Sequence, residues 1–144
     1  MVKFFVKFFE QLLELCNQKT NLFNNISPMG YQNWISSGAG KSGLSWLIAI
    51  TKKNARIDFR LSSPSSEINK KRFDFLFSNK NKIENIFGKP IIWDFKENRK
   101  QNNLRTISPL GGIDDEDKWP AIQNDLVERI IRLEKALRPY IKEL

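Results

Sequence analysis

The chain has 144 residues and carries 24 Lys and Arg against 16 Asp and Glu, so its formal net charge is +8. This length is typical of one domain, and we predict a single α+β domain over residues 1–144. Its one cysteine excludes an internal disulfide, and the lack of histidine removes the commonest zinc ligand and general base. The composition therefore favours a basic binding module, with no cofactor and no metal, over an enzyme.

Polar residues near the N-terminus recur at steps of three and four, which predicts one amphipathic helix. The polar positions are Lys3, Lys7, Glu10, Glu14 and Asn17. The opposite face is aromatic and aliphatic and includes Cys16, and we expect it to pack in the core rather than on a membrane surface. Since no apolar run reaches the ~20 residues that span a bilayer, we expect a cytoplasmic chain without membrane contact.

Alternating side chains predict the strands. A long connection over roughly residues 19–43 comes first, with one short helical turn expected around Tyr31–Ser36. Apolar residues then alternate over 44–51 and over 55–62, on either side of the turn Lys52–Asn54, which predicts a β-hairpin. A third strand is predicted at Ile91–Lys96 and a weaker fourth at Leu104–Ser108, as a second hairpin.

Capping and breaking residues predict the remaining helices. Residues 64–66 indicate a helix start and Gly88 a helix end, while Asn79 is expected to divide this stretch into two shorter helices. Trp119-Pro120 predicts the start of a long C-terminal helix, with a kink or an end at Pro139. The predicted fold is α+β: an N-terminal helix, an antiparallel four-stranded sheet from two β-hairpins separated by a helix, and a long C-terminal helix.

Three motifs imitate known sites without completing them. The segment Ser37–Ser42 lacks the first glycine of a phosphate-binding loop and precedes a strand instead of a helix. The acidic run Asp114–Asp117 lacks the spaced ligands of a calcium loop and is better placed to stabilise the next helix. Asp94 and Lys96, with Asp58, imitate part of a metal-dependent nuclease site, but we interpret both aspartates as solvent-facing strand residues beside cross-strand bases.

The positive charge is concentrated in the middle of the chain. Residues 41–105 carry 15 positive and 6 negative side chains, a net charge of +9. A concentrated positive surface attracts polyanions and releases their counterions. We therefore predict a non-catalytic accessory module, without catalytic residues, that binds the phosphate backbone of a nucleic acid, DNA in preference to RNA. The predicted contacts, which must share one face, are Lys52, Lys53, Arg56, Arg60, Lys70, Lys71 and Arg72.

Two alternatives stay open at this point. The first is a protein-interaction or dimerisation domain, a homodimer included, which exposure of Phe5, Phe8 or Leu137 would favour. The second is a divalent-metal nuclease, which requires the carboxylates of the two strand aspartates to converge near Lys96.

Segments in one order along nearly the whole chain carry a further pattern. They are Phe8–Leu13, Asn25–Pro28, Gly38–Gly43, Ile50–Arg56, Ile83-Glu84, Phe87-Gly88, Trp93, Trp119-Pro120 and Arg132–Ala136. Together they resemble a bacterial and archaeal family, the domain of unknown function 4268 (DUF4268). The resemblance implies a module common at the C-terminal end of longer proteins, some with nuclease-like domains in restriction or defence settings. It implies no assigned activity, and it adds a nuclease-like protein as an expected partner.

Overall fold

The computed structural model describes residues 2–144, and its side chains from Phe4 onward. The side chain of Lys3, a predicted polar position of the first helix, lies outside the described part. Within residues 2–144 the chain forms four α-helices and five β-strands. The helices are α1 (Val2–Lys19), α2 (Ser66–Ser78), α3 (Lys80–Phe87) and α4 (Trp119–Ile141). The strands are β1 (Trp34–Gly38), β2 (Leu44–Ile50), β3 (Ala55–Leu61), β4 (Ile92–Asp94) and β5 (Asn102–Ser108).

The sheet has five strands, all antiparallel, in the order β1-β2-β3-β5-β4. The predicted four-stranded sheet is wrong by one strand, because β1 occupies the place where a helical turn was expected at Tyr31–Ser36. Ile35 is the one fully buried residue of β1, so no alternating pattern marks this segment as a strand. It extends because it pairs with β2, with Ile35 opposite Ile48, and that pairing outweighs local preference.

The β2–β3 hairpin and the second hairpin are confirmed, although β5 lies between β3 and β4. Strand β5 pairs with β3 along all seven of its residues and with β4 along three. Strand β4 is shorter than the predicted Ile91–Lys96 and covers only Ile92–Asp94. The sheet therefore ends in a long edge at β1 and a short edge at β4.

A carboxylate on α3 fixes β4 in place. Glu84 Oε2 accepts hydrogen bonds from the backbone N–H of Ile91 at 2.8 Å and from Trp93 Nε1 at 3.0 Å. Burial opposes ionisation of Glu84, but these hydrogen bonds and the nearby Lys80 outweigh it and hold the pKa of this carboxyl below its ordinary value. The short edge strand is thus tied to the helix layer by an ionised side chain.

The helices lie on one face of the sheet. Helix α4 crosses that face, where Arg129 donates to Thr106 Oγ1 on β5 and Arg138 lies over the ring of Trp46 on β2. Helix α2 borders the same side, because the ring of Phe73 packs against Trp93. The core fills the space between this helix layer and the sheet.

The prediction that α1 buries its aromatic face in the core is confirmed. Phe8, Phe9 and Cys16 are buried, and Gln123 on α4 donates a hydrogen bond to the carbonyl of Phe8. Burial raises the pKa of the Cys16 thiol to about 11, as expected of a small core side chain. Leu137 is also buried and Phe5 is half-buried, so these helices do not offer the exposed apolar surface that the dimerisation alternative required of them.

The predicted helix ends are largely confirmed. The side chain of Ser65 caps α2 by accepting from the N–H of Ile68, and Asn79 separates α2 from α3. Gly88 ends α3 in the left-handed conformation. Pro139 lies inside α4, which continues to Ile141, so proline falls in the last turn without stopping the helix at once.

Candidate functional site on the open face of the sheet

The face of the sheet opposite the helices mixes polar and apolar side chains, which are buried at its centre and exposed towards its margins. Residues paired directly across an antiparallel ladder project from the same face, so the register fixes which side chains lie together. Three rows of side chains cross this face, which we call the open face. They are Trp34, Ala49, Arg56 and Ile107; Ser36, Leu47, Asp58, Arg105 and Ile92; and Gly38, Ser45, Arg60, Asn103 and Asp94.

Asp58 stands at the centre of the open face, and its side chain is 0% exposed. Arg105 reaches it from β5 with two hydrogen bonds, Nε to Oδ1 at 2.7 Å and Nη2 to Oδ2 at 3.1 Å. Arg56 Nε donates to Oδ2 at 3.2 Å, and Arg60 Nη2 lies 3.9 Å from the same oxygen. The prediction of a solvent-facing Asp58 is wrong, because three arginines converge over a carboxylate in a central strand.

A second carboxylate extends this network to the short edge of the sheet. Asp94 Oδ1 accepts from Arg99 Nη2 at 2.9 Å, and Asp94 Oδ2 lies 4.0 Å from Arg105 Nη1. The four guanidinium groups, which we call the arginine cluster, are Arg56, Arg60, Arg99 and Arg105. Four cations against the two carboxylates leave this part of the surface with a surplus of positive charge.

The surroundings of Arg105 and Arg60 shift their pKa values in opposite directions. The hydrogen bond to Asp58 raises the pKa of the Arg105 guanidinium. Burial lowers the pKa of Arg60; the carboxylate of Asp58 opposes this, and the two neighbouring arginines add to it. Both groups stay protonated near neutral pH, because an arginine guanidinium in a protein is not deprotonated in that range. Among the described contacts Arg56 and Arg60 each donate one hydrogen bond, so both have N–H donors left for an anion.

The seven predicted contact residues do not share one face. Arg56 and Arg60 lie on the open face, whereas Lys52 and Lys53 lie in the β2–β3 turn at one end of the sheet. The carbonyls of Thr51 and Lys52 accept hydrogen bonds from the backbone of Ile113 and Asp114, which holds this turn against the loop before α4.

The other three predicted residues lie on α2, in the helix layer. Arg72 Nη1 donates to the carbonyl of Ser42, at the end of the sheet opposite the β2–β3 turn. The seven residues of β2 place these two ends about 20 Å apart. Lys70 is paired with Asp74 at 2.7 Å, and Lys71 is exposed beside Arg72. The predicted seven-residue surface therefore reduces to two residues in one place.

The arrangement of the strand aspartates bears on the nuclease alternative. Asp58 and Asp94 lie on strands separated by β5, and Arg105 on that strand contacts the first at 2.7 Å and lies 4.0 Å from the second. Among the described residues no group of three metal-ligating His, Cys, Asp or Glu side chains occurs. The network has the chemistry of a structured anion-binding surface, with cations in surplus, rather than of a carboxylate cage for a divalent metal.

The two other motifs have structural roles. Residues 39–43 connect β1 to β2, a strand-to-strand loop that lacks the helix a phosphate-binding loop requires. Asp115, in the acidic run before α4, accepts a hydrogen bond from the N–H of Gly112. The first outcome agrees with the interpretation from the sequence. The expected role of the acidic run at α4 is wrong, because α4 has Lys118 at its N-cap position, no side-chain cap and no acidic residue in its first turn.

Two arginines and a tryptophan of the open face escaped prediction as site residues. Arg105 and Arg99 belong to the basic middle of the chain, but only the pairing of β5 with β3 brings Arg105 opposite Asp58. Trp34 is 38% exposed at the start of β1, a strand that the sequence did not reveal. The alternation of Leu104, Arg105 and Thr106 was the one available signal for Arg105. It predicts that Arg105 lies on the polar face of a strand, but it does not predict which strand pairs with it.

Fold and site define an α+β domain in which helices cover one face of an antiparallel sheet and an arginine cluster occupies the other. The chain belongs to the family described as domain of unknown function (DUF4268), whose family model matches residues 4–141. No curated protein sequence and no solved structure matches it. Within residues 2–144, no helix has the length and apolar character needed to cross a membrane.

Proposed function

We propose that the protein is a non-catalytic module that binds the phosphate backbone of a nucleic acid through the open face. The observation that carries the proposal is the convergence of Arg56, Arg60 and Arg105 on the single buried carboxylate of Asp58. The DNA preference, the nuclease-like protein partner and the cytoplasmic setting expected from the sequence belong to the same proposal.

The geometry supports phosphate binding in two ways. The guanidinium groups are held in position before a ligand arrives, so little side-chain entropy remains to be lost on binding. Their surplus charge and their remaining N–H donors match the charge and the acceptor oxygens of a phosphate diester. Contacts of this kind position a nucleic acid without reading its bases, so weak sequence preference is expected.

The test is binding of fluorescently labelled DNA and RNA, followed by anisotropy from about 50 mM salt upward. We expect Arg56→Ala to weaken binding and to reduce the slope of log affinity against log salt by about 1, the value for one lost phosphate contact. Arg132→Ala is the matched control, because Arg132 is exposed on α4 in the helix layer.

Arg60→Lys separates charge from shape, since it keeps the positive charge and removes the planar donor group. We expect it to bind more weakly than the wild type and to keep the salt slope. Unaltered binding by Arg56→Ala, or an equal loss in Arg132→Ala, would refute the open face as the phosphate site.

A protein-interaction function is the second candidate, favoured by apolar residues on the same face. Ile92 and Ile107 are exposed at diagonal positions on the neighbouring strands β4 and β5, and Trp34 lies at the β1 edge of the open face. A homodimer through this face would bring arginine against arginine, which is unfavourable. Sedimentation of the purified protein tests it: a dimer that Ile107→Asp disrupts would support this candidate.

A further inference from the structure

We propose that the open face binds single-stranded rather than duplex nucleic acid, with Trp34 stacked on one of its bases. This inference rests on the proposed function and adds the strandedness of the ligand.

Trp34 differs from the other three tryptophans in its surroundings. Trp46 and Trp119 are buried, and Trp93 is half-buried with its Nε1 donating to Glu84. Trp34 is instead an exposed aromatic side chain on an edge strand, at one end of the row that contains Arg56. A large exposed aromatic next to positive charge is the combination with which proteins hold unpaired bases.

The spacing in this row suits a nucleotide laid across the sheet. Ala49 is the only residue between Trp34 and Arg56, so their backbones lie about 10 Å apart, two strand spacings. The next positions on β1 and β2 in the neighbouring row carry Ser36 and the buried Leu47, so within the row itself only the methyl group of Ala49 separates Trp34 from Arg56. A phosphate held by Arg56 therefore lies beside the indole ring, with no large side chain between them.

The arginine cluster is shaped for a strand that lies on the sheet. Because Arg56 and Arg105 are hydrogen-bonded to the buried Asp58, their guanidinium groups lie close over the sheet instead of projecting from it. A duplex keeps its bases paired and stacked on each other, so along its length it offers no free base face to Trp34. A single strand presents both phosphates and free base faces.

The positive charge of the open face also indicates which kind of partner can bind there. A second copy of this chain would add positive charge to a surface that already has a surplus, so the partner must be anionic. An acidic protein segment satisfies the charge, but it offers no flat aromatic group in a regular repeat for Trp34. A single-stranded nucleic acid satisfies both features.

The experiment compares three probes of about 12 nucleotides: oligothymidine, an abasic strand with the same phosphates, and a duplex. Binding is followed by anisotropy and by tryptophan fluorescence. We expect oligothymidine to bind most tightly and to quench tryptophan fluorescence, and the abasic strand to bind about 10-fold more weakly without quenching.

Two variants at Trp34 test the role of stacking. Trp34→Ala should lose about 10-fold in affinity for oligothymidine and nothing for the abasic strand. Trp34→Leu keeps an apolar side chain and should lose affinity equally, which separates stacking from apolar contact. Phe77→Ala is the control, because Phe77 is an exposed aromatic residue on α2. Thermal unfolding monitors the fold of every variant.

The outcomes separate the two proposals. If no probe binds, or if acidic polyglutamate binds as tightly as oligothymidine, the proposed function itself is overturned. If the arginine variants weaken binding but oligothymidine, abasic strand and duplex bind alike, or if Trp34→Ala changes nothing, phosphate binding stands and single-strand stacking is refuted.

Discussion

The carboxylate of Asp58 holds three guanidinium groups in place. An isolated buried carboxylate would be strongly unfavourable, and so would three arginines in contact without a counter-charge. The hydrogen bonds from Arg56 and Arg105, and the approach of Arg60, balance the two penalties. Asp58 is therefore a structural residue of the open face, and its contribution to binding is to hold the arginines in place.

We expect Asp58→Asn to lower the free energy of unfolding by about 3 kcal/mol, because it removes the charge at the centre of a buried ion network. Urea denaturation at pH 7 measures this loss. Asp74→Asn, which breaks the exposed pair with Lys70, is the control and should leave the transition unchanged. An Asp58→Asn variant as stable as the control would show that the network contributes nothing to folding.

At the scale of elements, long-range pairing settles what local sequence left open. The β2–β3 hairpin and α1 were predictable because each carries a complete period of apolar residues, and the start of α4 because it has a proline in its first turn. Strand β1 was not, since it has a single buried residue and depends on β2 for its conformation. The site followed the same division: Arg56 and Arg60 belong to the predictable hairpin, and Arg105 joins them only through strand pairing.

The link between α3 and β4 should make stability depend on pH. The pKa of Glu84 is held below its ordinary value, so its ionised form stabilises the folded state above that value, and the effect is lost as pH falls through the lowered pKa. We expect Glu84→Gln to be less stable than the wild type at pH 7, with the gap closing below about pH 4. Parallel urea titrations between these pH values measure it; a gap that is constant with pH would contradict the assignment.

The loop between β1 and β2 depends on one glycine. Gly43 has a φ of +81°, and a Cβ there would lie 2.9 Å from the backbone of Ser63, which cannot move away cheaply. We expect Gly43→Ala to cost about 3 kcal/mol of unfolding free energy, from backbone strain together with the clash. Gly30→Ala, with open space around the new Cβ, should cost nothing. Equal midpoints of thermal unfolding for the two variants would disprove this argument.

Across the whole molecule, charge and apolar surface are divided between the two faces of one sheet. The helix face carries the core, and the open face carries the arginine cluster with apolar residues near its edges. The excess positive charge does lie in residues 41–105. Of the seven residues predicted to form one surface, however, only Arg56 and Arg60 lie on the open face, and the others lie in the β2–β3 turn or in the helix layer. Sequence position measures charge along the chain, whereas a binding surface depends on which strands become neighbours.

The position of β5 also determines the order in which the strands can pair while the chain is being synthesised. A chain leaves the ribosome from its N-terminus, so β1, β2 and β3 can pair as soon as residues 34–61 have emerged. Strand β4 emerges next and finds no partner, because β5, the strand it pairs with, is made after it. Until residues 102–108 arrive, the edge of β3 stays bare, and until α4 follows, the apolar face of the sheet has its main cover missing. The nascent protein therefore reaches its native structure only after nearly all of the 144 residues have been translated.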